Sequence, residues 1–83
     1  MSYSRFGEGS DIYLYCYDDT LGQRRFECVG CCLSKYSGHS ALLRGFDEAI
    51  LHVREHIAAG DKVENDVIPL LEQTRKEDEN NQL

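Results

Sequence analysis

Two pairs of potential metal ligands stand out in this sequence of 83 residues. Cys28 and Cys31 are separated by two residues, and Gly30 between them permits a tight backbone turn that directs both sulfurs toward one centre. His52 and His56 have the i, i+4 spacing that puts both imidazoles on one face of a helix. Two thiolates and two imidazoles are the ligands of a tetrahedral Cys2His2 zinc site. The sequence therefore predicts structural zinc bound by these four residues.

Other sulfur and imidazole donors leave some alternatives open. Cys32 could replace Cys31 as a ligand, although adjacent side chains diverge and the Cys-x-x-Cys spacing has the better reach. Cys16 falls on the apolar side of an alternating segment, which favours a small buried hydrophobic residue. His39 lies in a serine-containing segment and is predicted at the surface.

The segment from His52 to His56 also reads H-x-x-E-H, the inverted zincin pattern, with Glu55 as the general base. Catalysis by zinc requires an open coordination position, and four protein ligands close it. Two thiolates also lower the Lewis acidity of the metal, and a chain of this length leaves little room for a substrate cleft. The sequence therefore favours a protein that is not an enzyme, with a zinc hydrolase as the less favoured alternative.

The cysteines are predicted to follow a β-hairpin. Residues 11–17 alternate strictly, with one side apolar and the other side formed by three tyrosines, which is the period of a β-strand. Residues 18–23 contain the Asp and Gly of a turn, and residues 24–29 give a second strand with Phe26 and Cys28 on one face. The tyrosine side is predicted mainly to pack under a neighbouring element, with stacking on a partner's bases or side chains as the alternative. This side consists of Tyr13, Tyr15 and Tyr17.

The histidines are predicted to lie on the main helix, over residues 46–59. Gly45 is an acceptable N-cap, acidic residues occupy the first turn, and Gly60 provides a left-handed end. A second helix is predicted from Asp66 to about Lys76, because Pro69 is tolerated in a first turn. The apolar stripe of the main helix is predicted to be Phe46, Ala49, Ile50, Val53 and Ile57.

These elements predict a small α+β fold, a zinc-finger-like ββα unit with an additional short C-terminal helix. Residues 1–10 are expected to form a flexible arm, residues 11–76 a single zinc-stabilised domain, and residues 77–83 a frayed acidic tail. Residues 33–45 exceed the loop of an ordinary finger, and residues 40–43 within them fit either a short third strand or an early helical turn.

Composition and charge limit the function classes. The four cysteines, without an apolar N-terminal signal, favour metal binding in a reducing cytoplasm over disulfides. No apolar run reaches about 18 residues, so no membrane span is expected. Residues 46–83 supply the whole net charge of −6, since residues 1–45 carry five basic and five acidic residues. An acidic half repels nucleic acid and suits a protein partner with a basic surface. The favoured interpretation, however, is that these charges keep a small helix pair in solution.

Several segments resemble small proteins encoded by bacteriophages of actinobacteria. The similarity lies in the opening Ser-Tyr-Ser-Arg-Phe-Gly, in Asp-Ile-Tyr-Leu-Tyr from Asp11, in Phe-Glu-Cys-Val-Gly-Cys from Phe26, and in the segment from His52 to Val63. It implies a phage product acting in the cytoplasm of a bacterial host, and it supports the predicted metal ligands without implying an activity.

The favoured hypothesis is a non-enzymatic protein–protein interaction module that binds an unidentified host or phage protein. The alternative is a nucleic-acid-binding zinc finger that uses Arg44 and Arg54 near the main helix, with Arg24 and Arg25 at the hairpin tip. Acidic residues on the same helix oppose that alternative; they are Asp47, Glu48 and Glu55.

Overall fold

The computed structural model describes residues 2–7, 9–33 and 36–81 and has an α+β architecture. Its four-stranded antiparallel sheet has the order β1-β2-β3-β4, so each strand pairs with its neighbour in sequence. The elements are β1 (Ser2–Ser4), β2 (Leu14–Asp18), β3 (Arg24–Cys28), β4 (Ala41–Leu43), α1 (Phe46–Ala58) and α2 (Val67–Asn81). The predicted fold class is confirmed: β2, β3 and α1 form the ββα unit, and α2 follows it.

The sheet has one buried face and one face toward solvent, which we call the inner face and the outer face. The inner face carries the buried side chains of Leu14, Cys16, Phe26, Cys28, Ala41 and Leu43. It belongs to the same core cluster as Ala49, Ile50 and Val53 of α1 and Val67 and Leu71 of α2. Strand alternation puts Tyr13, Tyr15, Tyr17, Glu27 and Leu42 on the outer face. The predicted burial of the apolar side of the hairpin is thus confirmed. The tyrosine side was predicted mainly to pack under a neighbouring element, but its residues are not part of the core cluster and Tyr17 is exposed.

Strand register carries Cys28 into the centre of the inner face. Leu14 pairs with Cys28 across β2 and β3, and Cys28 pairs with Ala41 across β3 and β4.

The hairpin turn is fixed by the Asp19 carboxylate, whose Oδ1 accepts hydrogen bonds from the backbone N–H groups of Leu21 and Gln23, each at 2.9 Å. The bonds from those amides hold the pKa of Asp19 below its ordinary value. The third strand was one of two alternatives at residues 40–43, and β4 settles the choice in favour of strand.

Helix α1 begins and ends close to the predicted positions. Gly45 is extended at the N-cap, and Gly60 has a φ of 90°, the left-handed conformation that ends helices. The predicted apolar stripe is wrong at Ile57, which is 50% exposed. His52 and His56 are buried in its place, because the side of α1 that faces the sheet is the side that carries the imidazoles.

Within the segment predicted to be a flexible arm, the described residues include a strand and a buried side chain. β1 pairs with β2, and Tyr3 is buried with its ring centroid 5.7 Å from that of Phe26. The buried hydroxyls of Ser4 and Ser10 lie 2.6 Å apart, and Ser10 Oγ also donates to the carbonyl of Ile12. The small polar residues of this segment show no alternation of apolar and polar side chains, so the sequence did not predict a strand. In the structure their hydroxyls hydrogen-bond to one another and to the backbone at the edge of the sheet. Met1 and Glu8 lie outside the described residues.

Helix α2 continues beyond its predicted end. It reaches Asn81 rather than stopping near Lys76, and Asp78 forms an ion pair with Arg24 at 3.2 Å. Most of the segment predicted as a frayed tail is therefore helical, while residues 82–83 lie outside the described part. Within that part, neither helix combines the length and apolar character that crossing a bilayer requires.

Candidate metal centre

The two cysteines are positioned by the end of β3 and by the loop that follows it. Cys28 is the last residue of the strand, and Gly30 has a φ of 55°, so the chain turns back as the sequence predicted. The Cys31 N–H donates to the carbonyl of His39 at 3.0 Å, and the Gly38 N–H donates to the carbonyl of Cys31 at 3.1 Å. The long loop thus folds onto the cysteine turn and fixes both sulfurs beneath the sheet.

The two histidines come from the middle and the end of α1. The His52 and His56 side chains lie on the face that also carries Ala49 and Val53, and His56 is completely buried. The Tyr36 ring packs edge-on against His52 with a centroid distance of 5.5 Å. The histidines therefore belong to the buried side of α1.

The four side chains converge on one point. The two Nε2 atoms of His52 and His56 are 3.2 Å apart, and Cys31 Sγ lies 3.4 Å and 3.3 Å from them. Cys28 Sγ lies 3.6 Å from Nε2 of His56, and all four ligand atoms fall within 4.8 Å of one another.

These separations fit a tetrahedral metal site. Zinc–sulfur bonds of about 2.3 Å and zinc–nitrogen bonds of about 2.0–2.1 Å place the nitrogens about 3.3 Å apart and sulfur about 3.5 Å from nitrogen. The observed distances of 3.2 Å between nitrogens and 3.3–3.6 Å between sulfur and nitrogen are within a few tenths of an ångström of these values. Four buried soft donors in this arrangement are suited to a metal ion.

Burial, followed by the neighbouring Cys31 thiol, raises the pKa of Cys28 to about 12 in the protein without metal. The Cys28 thiol is therefore protonated at neutral pH in the metal-free protein. A divalent cation would replace the thiol protons and compensate the thiolate charges.

Cys31 rather than Cys32 belongs to this group. Cys32 is exposed, and its Sγ lies 3.2 Å from Oδ2 of Asp61 and 3.7 Å from Nδ1 of His56. Burial and the Asp61 carboxylate raise the pKa of Cys32. The divergence of adjacent side chains thus decides the alternative that the sequence left open.

Asp61 lies beside this centre, although its place in the sequence did not predict a role there. Its Oδ2 lies 2.8 Å from Nδ1 of His56, and hydrogen bonds from His56 and then Cys32 hold its pKa below the ordinary value. The sequence did contain one indication of this contact, because Asp61 directly follows Gly60. A chain that reverses at such a glycine can bring the next side chain back against the last turn of the helix.

Three other candidate residues lie outside the four-ligand group. Cys16 is buried in the core, as expected of a small hydrophobic residue, and His39 is exposed. Glu55 is also exposed, whereas the two histidines of the same H-x-x-E-H segment point into the core. The histidines are thus directed at the cysteines and not at a surface cleft.

Three of the four arginines that had been considered for nucleic-acid contact lie beside carboxylates. Arg24 pairs with Asp78 at 3.2 Å, and Arg25 pairs with Asp19 at 3.1 Å. Arg54 lies 3.9 Å from Glu72 on the surface between the helices. These ion pairs reduce the positive potential available to phosphates.

No protein-family model, no curated protein and no solved structure matches this chain. The four-ligand geometry therefore stands on its own as the basis for assigning a function.

Proposed function

We propose that this protein is a small zinc-stabilised module that binds another protein and has no enzymatic activity. The observation that carries the proposal is the convergence of Cys28, Cys31, His52 and His56 at tetrahedral distances inside the core. The resemblance to actinobacteriophage proteins extends the proposal to a phage product that meets a host or phage protein in the bacterial cytoplasm.

Zinc is the metal of choice because two thiolates and two imidazoles satisfy its preferred tetrahedral coordination. The same four ligands fill every position, so the ion would be structural. It would join the end of β3 to α1, and the apparent binding free energy of such a site, on the order of 10 kcal/mol, would contribute directly to folding. A hydrolytic role would need a free coordination position and a base beside it, whereas Glu55 points to solvent.

The outer face is the proposed contact surface. Phe6, Tyr13, Tyr15 and Tyr17 form a continuous row, with successive ring centroids 5.8, 6.2 and 5.9 Å apart. Phe6 is 56% exposed, and Leu42 on the neighbouring β4 is 67% exposed. Rigid tyrosines with apolar rings and polar hydroxyls are enriched where proteins bind one another.

A protein fits this face better than a nucleic acid. Glu27 stands opposite Tyr15 in the sheet, and its carboxylate would repel phosphates. Partial burial, followed by that carboxylate, raises the pKa of Tyr15, and the Glu27 side chain also hydrogen-bonds the Tyr15 hydroxyl. The Arg25 guanidinium opposite Tyr17 is already bonded to Asp19 and Gln23.

The metal part of the proposal is tested on protein purified from expressing cells without added metal. Elemental analysis is expected to find one zinc per chain, and chelation is expected to remove the folded state. A folded protein that contains no metal would contradict the proposal.

The partner part is tested by affinity purification from host cells with three versions of the chain. The wild type is expected to retain a specific protein that the Tyr15→Ser/Tyr17→Ser variant loses. Ile57→Ser, which changes an exposed apolar residue of α1, is the matched control and should retain it. Equal recovery by all three, or salt-sensitive binding of random DNA by the wild type, would contradict the proposal.

A further inference from the structure

Asp61 is brought to the metal centre by the end of the same helix that carries the histidines. Gly60, with a φ of 90°, reverses the chain after α1, and the Asp61 N–H then donates to the carbonyl of His56 at 3.0 Å. The carboxylate turns in the same direction, so that Oδ2 lies 2.8 Å from Nδ1 of His56. The reversal therefore anchors both the backbone and the side chain of Asp61 to one histidine.

This contact determines which ring nitrogen of His56 is free. A neutral imidazole carries one N–H, and a carboxylate can only accept a hydrogen bond. Nδ1 therefore donates to Asp61, and Nε2 keeps its lone pair, which is directed at Cys28 and Cys31. That is the tautomer a metal on the Nε2 side requires, and a carboxylate behind a ligating histidine also increases its basicity.

The neighbouring Cys32 admits a different use of the same atoms. Cys32, His56 and Asp61 offer a sulfur, a nitrogen and an oxygen close enough to hold an ion of their own. An ion bonded to both Nδ1 and Oδ2 in tetrahedral geometry would hold those atoms about 3.3 Å apart. The observed 2.8 Å is the length of a charge-assisted hydrogen bond, and it favours a proton between them.

We propose that Asp61 is a positioning residue that holds His56 in the Nδ1–H tautomer and so strengthens zinc binding by the four-ligand centre. The proposal rests on the proposed zinc site. It assigns a role to the residue that follows Gly60. Helix α1 and the turn after it would then supply two ligands and the carboxylate that supports one of them.

The test compares the zinc affinity of the full chain and its variants by competition with a chromophoric chelator. Asp61→Ala is expected to weaken binding about 10- to 100-fold, the usual effect of losing a carboxylate behind a ligating histidine. Asp61→Asn keeps an acceptor oxygen without the charge and should fall between Asp61→Ala and the wild type. Asp18→Asn, which changes an exposed aspartate at the end of β2, is the control and should bind like the wild type.

A second readout separates positioning from a general loss of helix stability. Nitrogen-15 spectra of the zinc-loaded wild type should show His56 protonated at Nδ1 and bound through Nε2. The hydrogen bond to Asp61 should slow the exchange of that Nδ1 proton with water in the wild type. In Asp61→Ala the exchange should be faster, while the helix content of the zinc-loaded protein stays unchanged.

Two results would overturn the proposal. One is wild-type affinity and an unchanged His56 spectrum in Asp61→Ala. The other is two zinc ions per wild-type chain, one of them lost in both Asp61→Ala and Cys32→Ser, which would assign Asp61 as a ligand. A wild-type chain that binds no zinc would refute the proposed function itself and this proposal with it.

Discussion

The inner and outer faces of the sheet are built from the same strands but use them differently. On β2 the inner side carries Leu14 and Cys16, both buried, while the outer side carries Tyr15 and Tyr17, which reach solvent. The inner face closes over the four-ligand centre and both helices, whereas no helix in the described part of the chain belongs to the outer side. The difference indicates that stability resides on one face and that the other is available for contact.

The largest expected effect comes from removing a ligand from the inner face. Cys28→Ser should abolish tight zinc binding and unfold the protein, because the loss approaches the order of 10 kcal/mol that a structural zinc contributes. Circular dichroism with and without a chelator measures this effect. Cys32→Ser is the matched control, since its thiol is exposed and outside the group. Similar stability of the two variants would contradict the assignment of Cys28, and not Cys32, to the metal centre.

Substitutions on the two faces should differ in their effect on the free energy of unfolding. Phe26 is fully buried against Tyr3 and Phe46, so Phe26→Ala should lower the free energy of unfolding by about 3–5 kcal/mol. Tyr17→Ala, on the outer face, should change it by about 0.5 kcal/mol or less. Urea denaturation of the zinc-loaded proteins compares them. A large loss from Tyr17→Ala would show that the outer face is part of the core.

Zinc affinity should increase with pH because of Cys28. The pKa of this thiol is raised to about 12 in the metal-free protein, so at pH 6–8 it must release a proton when it binds zinc. For this proton alone, the apparent affinity should rise about tenfold per pH unit over that range. Calorimetry in buffers of different ionisation enthalpy counts the released protons. An affinity independent of pH would exclude the buried thiol as a ligand.

The smallest effect is expected at the surface of the helix layer. Arg75 and Asp47 join α2 to α1 through an ion pair in which the Asp47 side chain is 82% exposed. A double-mutant cycle with alanine at both positions should give a coupling energy of about 0.2–1 kcal/mol. Thermal unfolding at low and high salt measures it. A larger coupling that falls as salt is added would mean that charge, and not burial alone, holds the helices on the inner face.

The cluster of four candidate ligands was predictable because their spacing has a direct geometric meaning. Cys28 and Cys31 require only a local turn, and His52 and His56 require only a helix, so local sequence was enough to pair the members of each set. The hairpin and α1 followed from period-two and helical patterns in the same way. The predicted strand sides and both ends of α1 therefore agree closely with the structure.

The errors in the predicted fold have a shared cause. β1 is a short polar edge strand that is stabilised by pairing with β2, and the last turns of α2 gain an ion pair from Arg24 on β3. Ile57 is exposed because the imidazoles, rather than a fifth apolar side chain, fill the space beneath the sheet. Each of these features depends on residues far away in the sequence, which periodicity does not detect.

By itself, the sequence determined the four candidate ligands and the elements that carry them, since both follow from spacing within a few residues. Only the tertiary structure decided that Cys31 and not Cys32 joins His52, that Asp61 lies behind His56, and that Tyr17 stays exposed on the outer face. These outcomes depend on how the loop and the end of α1 pack against the sheet. Packing brings together residues whose separation along the chain carries no pattern of its own.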